Sequence, residues 1–118
     1  MRLSEELRGR TKQYASAIIR CFVKLPKERE ELRVLGKQLL RSGTSVAAHT
    51  REASRARSDS EFCSKIDGLL QEADESQLWL EPLRDECGIV GLEQLLNETG
   101  ELLAIFTSIV SKLRKAGI

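Results

Sequence analysis

The sequence predicts an all-α fold, an antiparallel up-down-up-down four-helix bundle, and three observations carry that expectation. Four apolar stripes of helical period run along the chain. Capping residues, prolines and glycines punctuate the gaps between them. The 118 residues hold two prolines and 4% aromatics, and are rich in the Leu, Glu, Arg and Ala that suit helices. A hydrophobic fraction of 41% and a charged fraction of 31% describe a globular chain, not a disordered one. A chain of this length reads as one domain, 1–118, able to bury a core without disulfides or metals.

The first helix is expected from about Ser4 to Lys24. Ser4 can cap it, and Glu5 and Glu6 suit the positive end of its dipole. Leu3, Leu7, Tyr14, Ile18, Cys21, Phe22 and Leu25 recur along one face. Pro26 interrupts, and since proline is tolerated in a first turn, the second helix is expected close to Lys27. Its stripe is Leu32, Leu35, Leu39, Ser42 with Gly43, Val46 and Ala53. Gly36 and Gly43 each cost up to about 1 kcal/mol relative to alanine, so a neighbouring helix is expected to approach closely there. Ser58-Asp59-Ser60-Glu61 reads as a capping box that starts the third helix near Asp59. That helix buries Phe62, Ile66, Leu69, Ala73, Leu80 and Leu83, and Pro82 should kink or finish it. Gly88 and Gly91 bracket a turn. The fourth helix runs from about Leu92 to Lys115 with a wide face of Leu95, Leu96, Leu102, Ile105, Phe106, Ile109, Val110 and Leu113. Gly117 can close it. The first and last few residues are expected to fray.

Charge is distributed unevenly along this plan. From Arg33 to Arg57 six basic residues stand against one acid, Glu52, and from Ser58 to Glu86 nine acids stand against two bases, Lys65 and Arg84. A net charge of +1 thus conceals a basic arm beside an acidic one, the patterning used for pairing between surfaces. MRLSEELRGR is charged from its second residue, unlike a signal peptide. The longest uncharged apolar stretch, Leu102 to Ser111, is about half a bilayer span. The expectation is a cytoplasmic protein with no membrane association. Cys21, Cys63 and Cys87 are odd in number and lack C-x-x-C spacing, which argues against disulfides and zinc and for packed thiols.

Several blocks in order resemble one bacterial family: L-L-R-S-G-T-S-V at Leu39–Val46, R-E-A at Arg51–Ala53, R-A-R-S at Arg55–Ser58, E-F at Glu61–Phe62, E-A-D-E at Glu72–Glu75 and W-L-E at Trp79–Glu81. L-G-K-Q at Leu35–Gln38 and L-A-I-F at Leu103–Phe106 extend the likeness over nearly the whole chain. The chain resembles the four-helix-bundle proteins also called 23S rRNA intervening-sequence proteins. Where the family usually has Gly-Ala-Asn-Tyr, this chain has Ala47-Ala48-His49-Thr50. The resemblance implies an antiparallel bundle assembled as a ring, often of five subunits, and an origin in frames within 23S rRNA gene insertions or elsewhere in bacterial chromosomes. The accessory protein of diversity-generating retroelements, a related bundle, binds nucleic acid and a reverse transcriptase. No enzymatic chemistry and no cofactor come with the resemblance.

Two sets of candidate residues follow. Lys37, Arg41, Arg51, Arg55 and Arg57, with Arg33, form a basic band suited to the phosphates of RNA or DNA. Arg51, Glu72, Glu75 and Trp79 form a candidate oligomer face. Thr44, Ala48, Arg51 and Arg55 follow 4-3-4 spacing beside the core stripe, as do Lys65, Gly68, Glu72, Glu75 and Trp79 on the third helix. In a hairpin turning near Arg57, Arg51 lies level with Cys63 to Lys65. Glu72 is then about 12 Å further along, so Arg51 is expected to meet Glu72 or Glu75 of a neighbouring subunit. His49 stands mid-helix without an acid–base partner, and Glu72 with Glu75 lacks the histidine of a di-iron bundle. The expectation is a non-enzymatic, metal-free, homo-oligomeric module, a pentamer by resemblance, that binds nucleic acid or a nucleic-acid-processing protein. The alternative is a scaffolding ring whose arginines are consumed by subunit contacts.

Overall fold

The structure, a computed structural model, describes residues 3–117; residues 1, 2 and 118, where fraying is expected, lie outside it. Four helices follow one another: α1 (Glu5–Lys24), α2 (Glu30–Ser54), α3 (Asp59–Asp85) and α4 (Glu93–Lys115). Among the described residues there is no strand. The bundle measures 49 × 21 × 21 Å. Each helix packs on its chain neighbours, most extensively α2 on α3, and the α1–α4 seam that closes the ring of helices is the least packed side.

Local chemistry explains the boundaries. The Leu7 amide donates to Ser4 Oγ at 3.1 Å, while Glu5 and Glu6 occupy the first turn of α1. Leu25, held extended as the residue before a proline must be, ends that helix and is itself buried. The second helix starts at Glu30, three residues later than the proline suggested. Burying Leu25 leaves the chain to cross between helices through Pro26–Arg29, and the acids Glu30 and Glu31 then take the dipole-favoured first turn. At α3 the Glu61 amide donates to Ser58 Oγ at 3.0 Å. Only half of the capping box forms, because the Glu61 carboxylate turns to Arg57, 3.6 Å away. Pro82 lies inside α3, which finishes at Asp85, and the carbonyl of Pro82 accepts from both Glu86 and Cys87. Gly88 and Gly91, at φ +73° and +81°, supply the left-handed backbone that side-chain-bearing residues resist.

Close approach of α1 to α2 accounts for the two mid-helix glycines. A Cβ at Gly43 would stand 2.7 Å from Ile18 Cγ1, and one at Gly36 would stand 2.8 Å from Leu25 Cδ1. These contacts also set the antiparallel pairing, in which residues whose numbers sum to about 61 are level.

The core follows the four stripes, with Ile18, Leu39, Val46, Ile66, Leu69, Leu80, Leu102 and Phe106 essentially inaccessible. It also contains a layer of hydroxyls. Ser76 donates to the Glu72 carbonyl at 2.9 Å and lies 2.8 Å from Ser42 Oγ; Thr99 donates to the Leu95 carbonyl at 2.6 Å and lies 2.6 Å from the Tyr14 hydroxyl. Tyr14 is therefore the donor to Thr99, whereas Ser42, which also lies 3.4 Å from the Leu39 carbonyl, has two acceptors within reach of its proton; every helix contributes one hydroxyl to the layer. The wide apolar face of α4 is only half used: Leu102, Phe106 and Val110 are buried, whereas Leu95, Leu96, Ile109 and Leu113 are partly exposed.

Candidate nucleic-acid interface

A helix turns 100° per residue, and α2 divides its surface by that rule. Gly36 and Gly43 face α1, and Leu39 and Val46 face the core. Ser42 and His49 face α3, where Ser42 meets Ser76 and the His49 ring lies against Gly68, whose added Cβ would be 2.9 Å from Cε1. The remaining sector, through Arg33, Lys37, Leu40, Thr44, Ala47, Arg51 and Arg55, looks outward. Lys37, Arg51 and Arg55 are exposed, and among the described residues none of the three has an ion-pair partner. They span 18 helical steps, about 27 Å of helix axis, and Leu40, Thr44 and Ala47 separate Lys37 from Arg51 along this sector.

The other members of the sequence-predicted band are engaged. Arg41 sits on the α3 side of α2 and reaches Glu72 Oε1 at 3.2 Å and also Glu75 Oε1. Desolvation opposes its charge, but the Coulombic pull of both carboxylates and the hydrogen bonds to them outweigh it, and its pKa is raised. Arg33 pairs with Glu30, and Arg57, 89% exposed at the side chain, lies 3.6 Å from Glu61. Glu52, the lone acid of the basic arm, also turns to α3, 3.6 Å from Lys65 Nζ and 3.2 Å from His49 Nδ1.

The structure thus separates residues that the sequence grouped. Arg51 stays clear of Glu72 and Glu75 within its own chain, as the level arithmetic required. The same arithmetic, applied to Arg41, would have found its partners, since Arg41 is level with about Ser76, next to Glu75 and one turn from Glu72. Trp79 lies one turn beyond Glu75 on that face, half-buried, with its Nε1 enclosed and without a hydrogen-bond partner. Val34 and Leu78, 52% and 53% exposed, flank the same α2–α3 edge by helical spacing. The indole N–H is thus a buried donor left without an acceptor among the described residues.

Chemistry of other kinds has little support among the described residues. No group of three or more His, Cys, Asp or Glu is placed to hold a metal ion. The His49 Nδ1 is enclosed, and the neighbouring Glu52 oxygen is not aligned to bond it. Cys63 is buried, as a packed thiol should be; Cys21 and Cys87 are partly buried, and burial pushes the Cys21 thiol up from its ordinary value. The α1–α4 seam leaves a groove of about 520 Å³ that includes Cys21, Arg20, Lys24, Ile89 and Leu95. It is bridged further along by Arg10, whose guanidinium donates to Glu98 at 2.7 and 2.8 Å and to Glu101 at 2.8 Å. None of these helices is long and apolar enough to cross a membrane.

Comparison with known proteins gives a consistent result. Residues 6–108 match the profile of the family described as 23S rRNA-intervening sequence protein. A crystal structure of a protein of unknown function from the S23 ribosomal protein family, from Bacteroides thetaiotaomicron, superposes with a TM-score of 0.81 at 33% identity. The alignment covers 88% of this chain and 94% of that one. No curated protein matches the sequence.

Proposed function

The chain belongs to the 23S rRNA-intervening sequence protein family, and from that premise we propose a non-enzymatic, homo-oligomeric bundle that binds nucleic acid, or a protein working on it, through basic residues of α2. The observation that carries the reading is the set of exposed cations without carboxylate partners among the described residues, Lys37, Arg51 and Arg55. Surface cations are normally paired with nearby acids or scattered among them, and this chain has carboxylates to spare on α3. Yet Glu72 and Glu75 are held by Arg41 and Glu52 is turned to Lys65, which favours a phosphate as the anion for Arg51. The family's link to rRNA genes supports the same direction. A titration of the purified protein against structured RNA, single strands and duplex DNA at two salt concentrations tests it. Binding that weakens steeply with salt supports phosphate recognition, and affinity indifferent to salt counts against it.

A second reading, a protein-scaffolding ring with no nucleic-acid ligand, draws on the α2–α3 edge. Trp79 with its unpaired Nε1, exposed Val34 and Leu78, and the Arg41–Glu72–Glu75 cluster have the aromatic and aliphatic character of an interface core with a charged rim. Assembly through this edge is common to both readings; they differ in whether the outward face of α2 is then occupied by nucleic acid or by a neighbouring subunit. If Arg51→Ala weakens assembly, the residue serves the ring. If it leaves assembly intact and lowers nucleic-acid affinity, it serves the ligand.

A further inference from the structure

We propose that the phosphate-binding face extends from α2 onto α1, where Arg8 and Lys12 complete with Arg51 and Arg55 a four-cation cluster fitted to double-stranded RNA. This inference rests on the nucleic-acid reading above and supplies its ligand form and its missing half. The contacts of Gly43 with Ile18 and of Gly36 with Leu25 fix the pairing of α1 with α2. Arg8 is therefore level with Ala53, between Arg51 and Arg55, and Lys12 is level with His49, about 3 Å along the axis from Arg51. Counting 100° per residue from the Ile18 and Gly43 contact line turns all four cations to the same outward side of the two helices. All four are exposed, and among the described residues none has an ion pair. Among the described residues Glu5, in the first turn of α1, is the one acid on that side at this end, since Glu52 faces α3.

The shape of the face selects the ligand. Two flush helices with axes about 8–10 Å apart present a broad, shallow surface. The major groove of B-form DNA, about 12 Å wide, admits a single helix, so this pair cannot enter it. The wide, shallow minor groove of A-form RNA accepts a flat surface that contacts phosphates across it. Single strands need aromatic platforms for their bases. This face has none, because Tyr14 is 2% exposed and Phe22 is turned into the contact with Gly36.

The test is fluorescence anisotropy with the intact protein, a 20-base-pair RNA duplex, the same duplex as DNA, and one RNA strand alone, between 50 and 200 mM salt. The four phosphates engaged by this cluster should contribute about −3.6 to the slope of log affinity against log salt, roughly 150-fold over that range, beside the share of Lys37. Arg8→Gln/Lys12→Gln and Arg51→Gln/Arg55→Gln should each remove about half of that contribution, while Arg20→Gln/Lys24→Gln, charges of α1 outside the cluster, should leave the slope unchanged. Circular dichroism of each variant checks that helix content is retained. If the α1 pair behaves as wild type while the α2 pair loses slope, the extension onto α1 is wrong and the α2 reading stands. DNA duplex or single strand bound as tightly as duplex RNA overturns the ligand assignment. If the wild-type protein binds none of them with salt dependence, the nucleic-acid reading itself falls.

Discussion

A methyl group at Gly43 would sit 2.7 Å from Ile18 Cγ1 and 2.8 Å from Ile18 Cγ2, and Ile18 is fully buried with a branched side chain that has little freedom to yield. Gly43→Ala should therefore destabilise the bundle by about 1–3 kcal/mol, despite alanine's better helix propensity. Gly100, in α4, has nothing within 4 Å of its absent Cβ, and Gly100→Ala should stabilise by about 0.5–1 kcal/mol. Urea unfolding midpoints of the two variants should shift in opposite directions; two shifts of the same sign would refute the packing argument. Tyr14 gives a test by pH. Burial first, and against it the hydrogen bonds with Thr99 and Ser76, leave its pKa above the ordinary 10.0. A raised pKa means the native state favours the neutral phenol, so its contribution is intact below about pH 10 and lost as pH rises through the folded value. At pH 7 Tyr14→Phe should cost about 0.5–1.5 kcal/mol. That gap should narrow above pH 10, and a gap unchanged with pH would contradict the assignment. The close approaches at Gly36 and Gly43 were legible because mid-helix glycine needs a compensating contact. The hydroxyl layer was not: no local signal marks Ser76 and Thr99 as buried, and their partners across the core come from tertiary packing.

Between elements, the α1–α4 seam is the weakest join, and a single side chain bridges much of it. Arg10 forks onto Glu98 and also reaches Glu101, and these hydrogen bonds, Glu98 first, raise its pKa further above its already high value. The side chains of Arg10 and Glu98 are about one-third exposed, so solvent screening keeps the pair modest. Arg10→Ala should cost on the order of 1 kcal/mol. Its signature is local: amides of α1 should exchange faster while those of α2 and α3 keep their protection. Equal acceleration in all four helices would mean the seam is not a separate joint. Sequence pattern found all four helices because stripes and caps are local properties. It missed the α2 start by three residues because the path after Pro26 is set by where Leu25 is buried. It left out the pairing of Arg41 with Glu72 and Glu75 within the chain, which depends on the register of α2 on α3; the meeting of Arg51 with these carboxylates was expected between subunits. Arg8 and Lys12 escaped notice because their placement depends on how α1 docks on α2, which no stretch of α1 encodes by itself.

At the scale of the whole molecule, net charge near zero coexists with a cationic face on α1 and α2 and a carboxylate-rich α3, so association should depend on which face is presented. Assembly through the α2–α3 edge predicts a light-scattering mass at a multiple of the 13.3 kDa chain, five-fold by the family resemblance. Trp79→Ala should reduce that mass, and a wild-type monomer at micromolar concentration would dismiss the ring. The nucleic-acid reading stands or falls on the outward face of α2. Its sharpest test is the salt dependence of binding to structured RNA for the wild-type protein and for Lys37→Gln/Arg51→Gln/Arg55→Gln. If these cations hold phosphates, log affinity falls linearly with log salt in the wild type, and the triple variant flattens that slope by about 2.7, near 0.9 for each contact removed. A wild-type affinity unmoved by salt, or a triple variant with the wild-type slope, would contradict it.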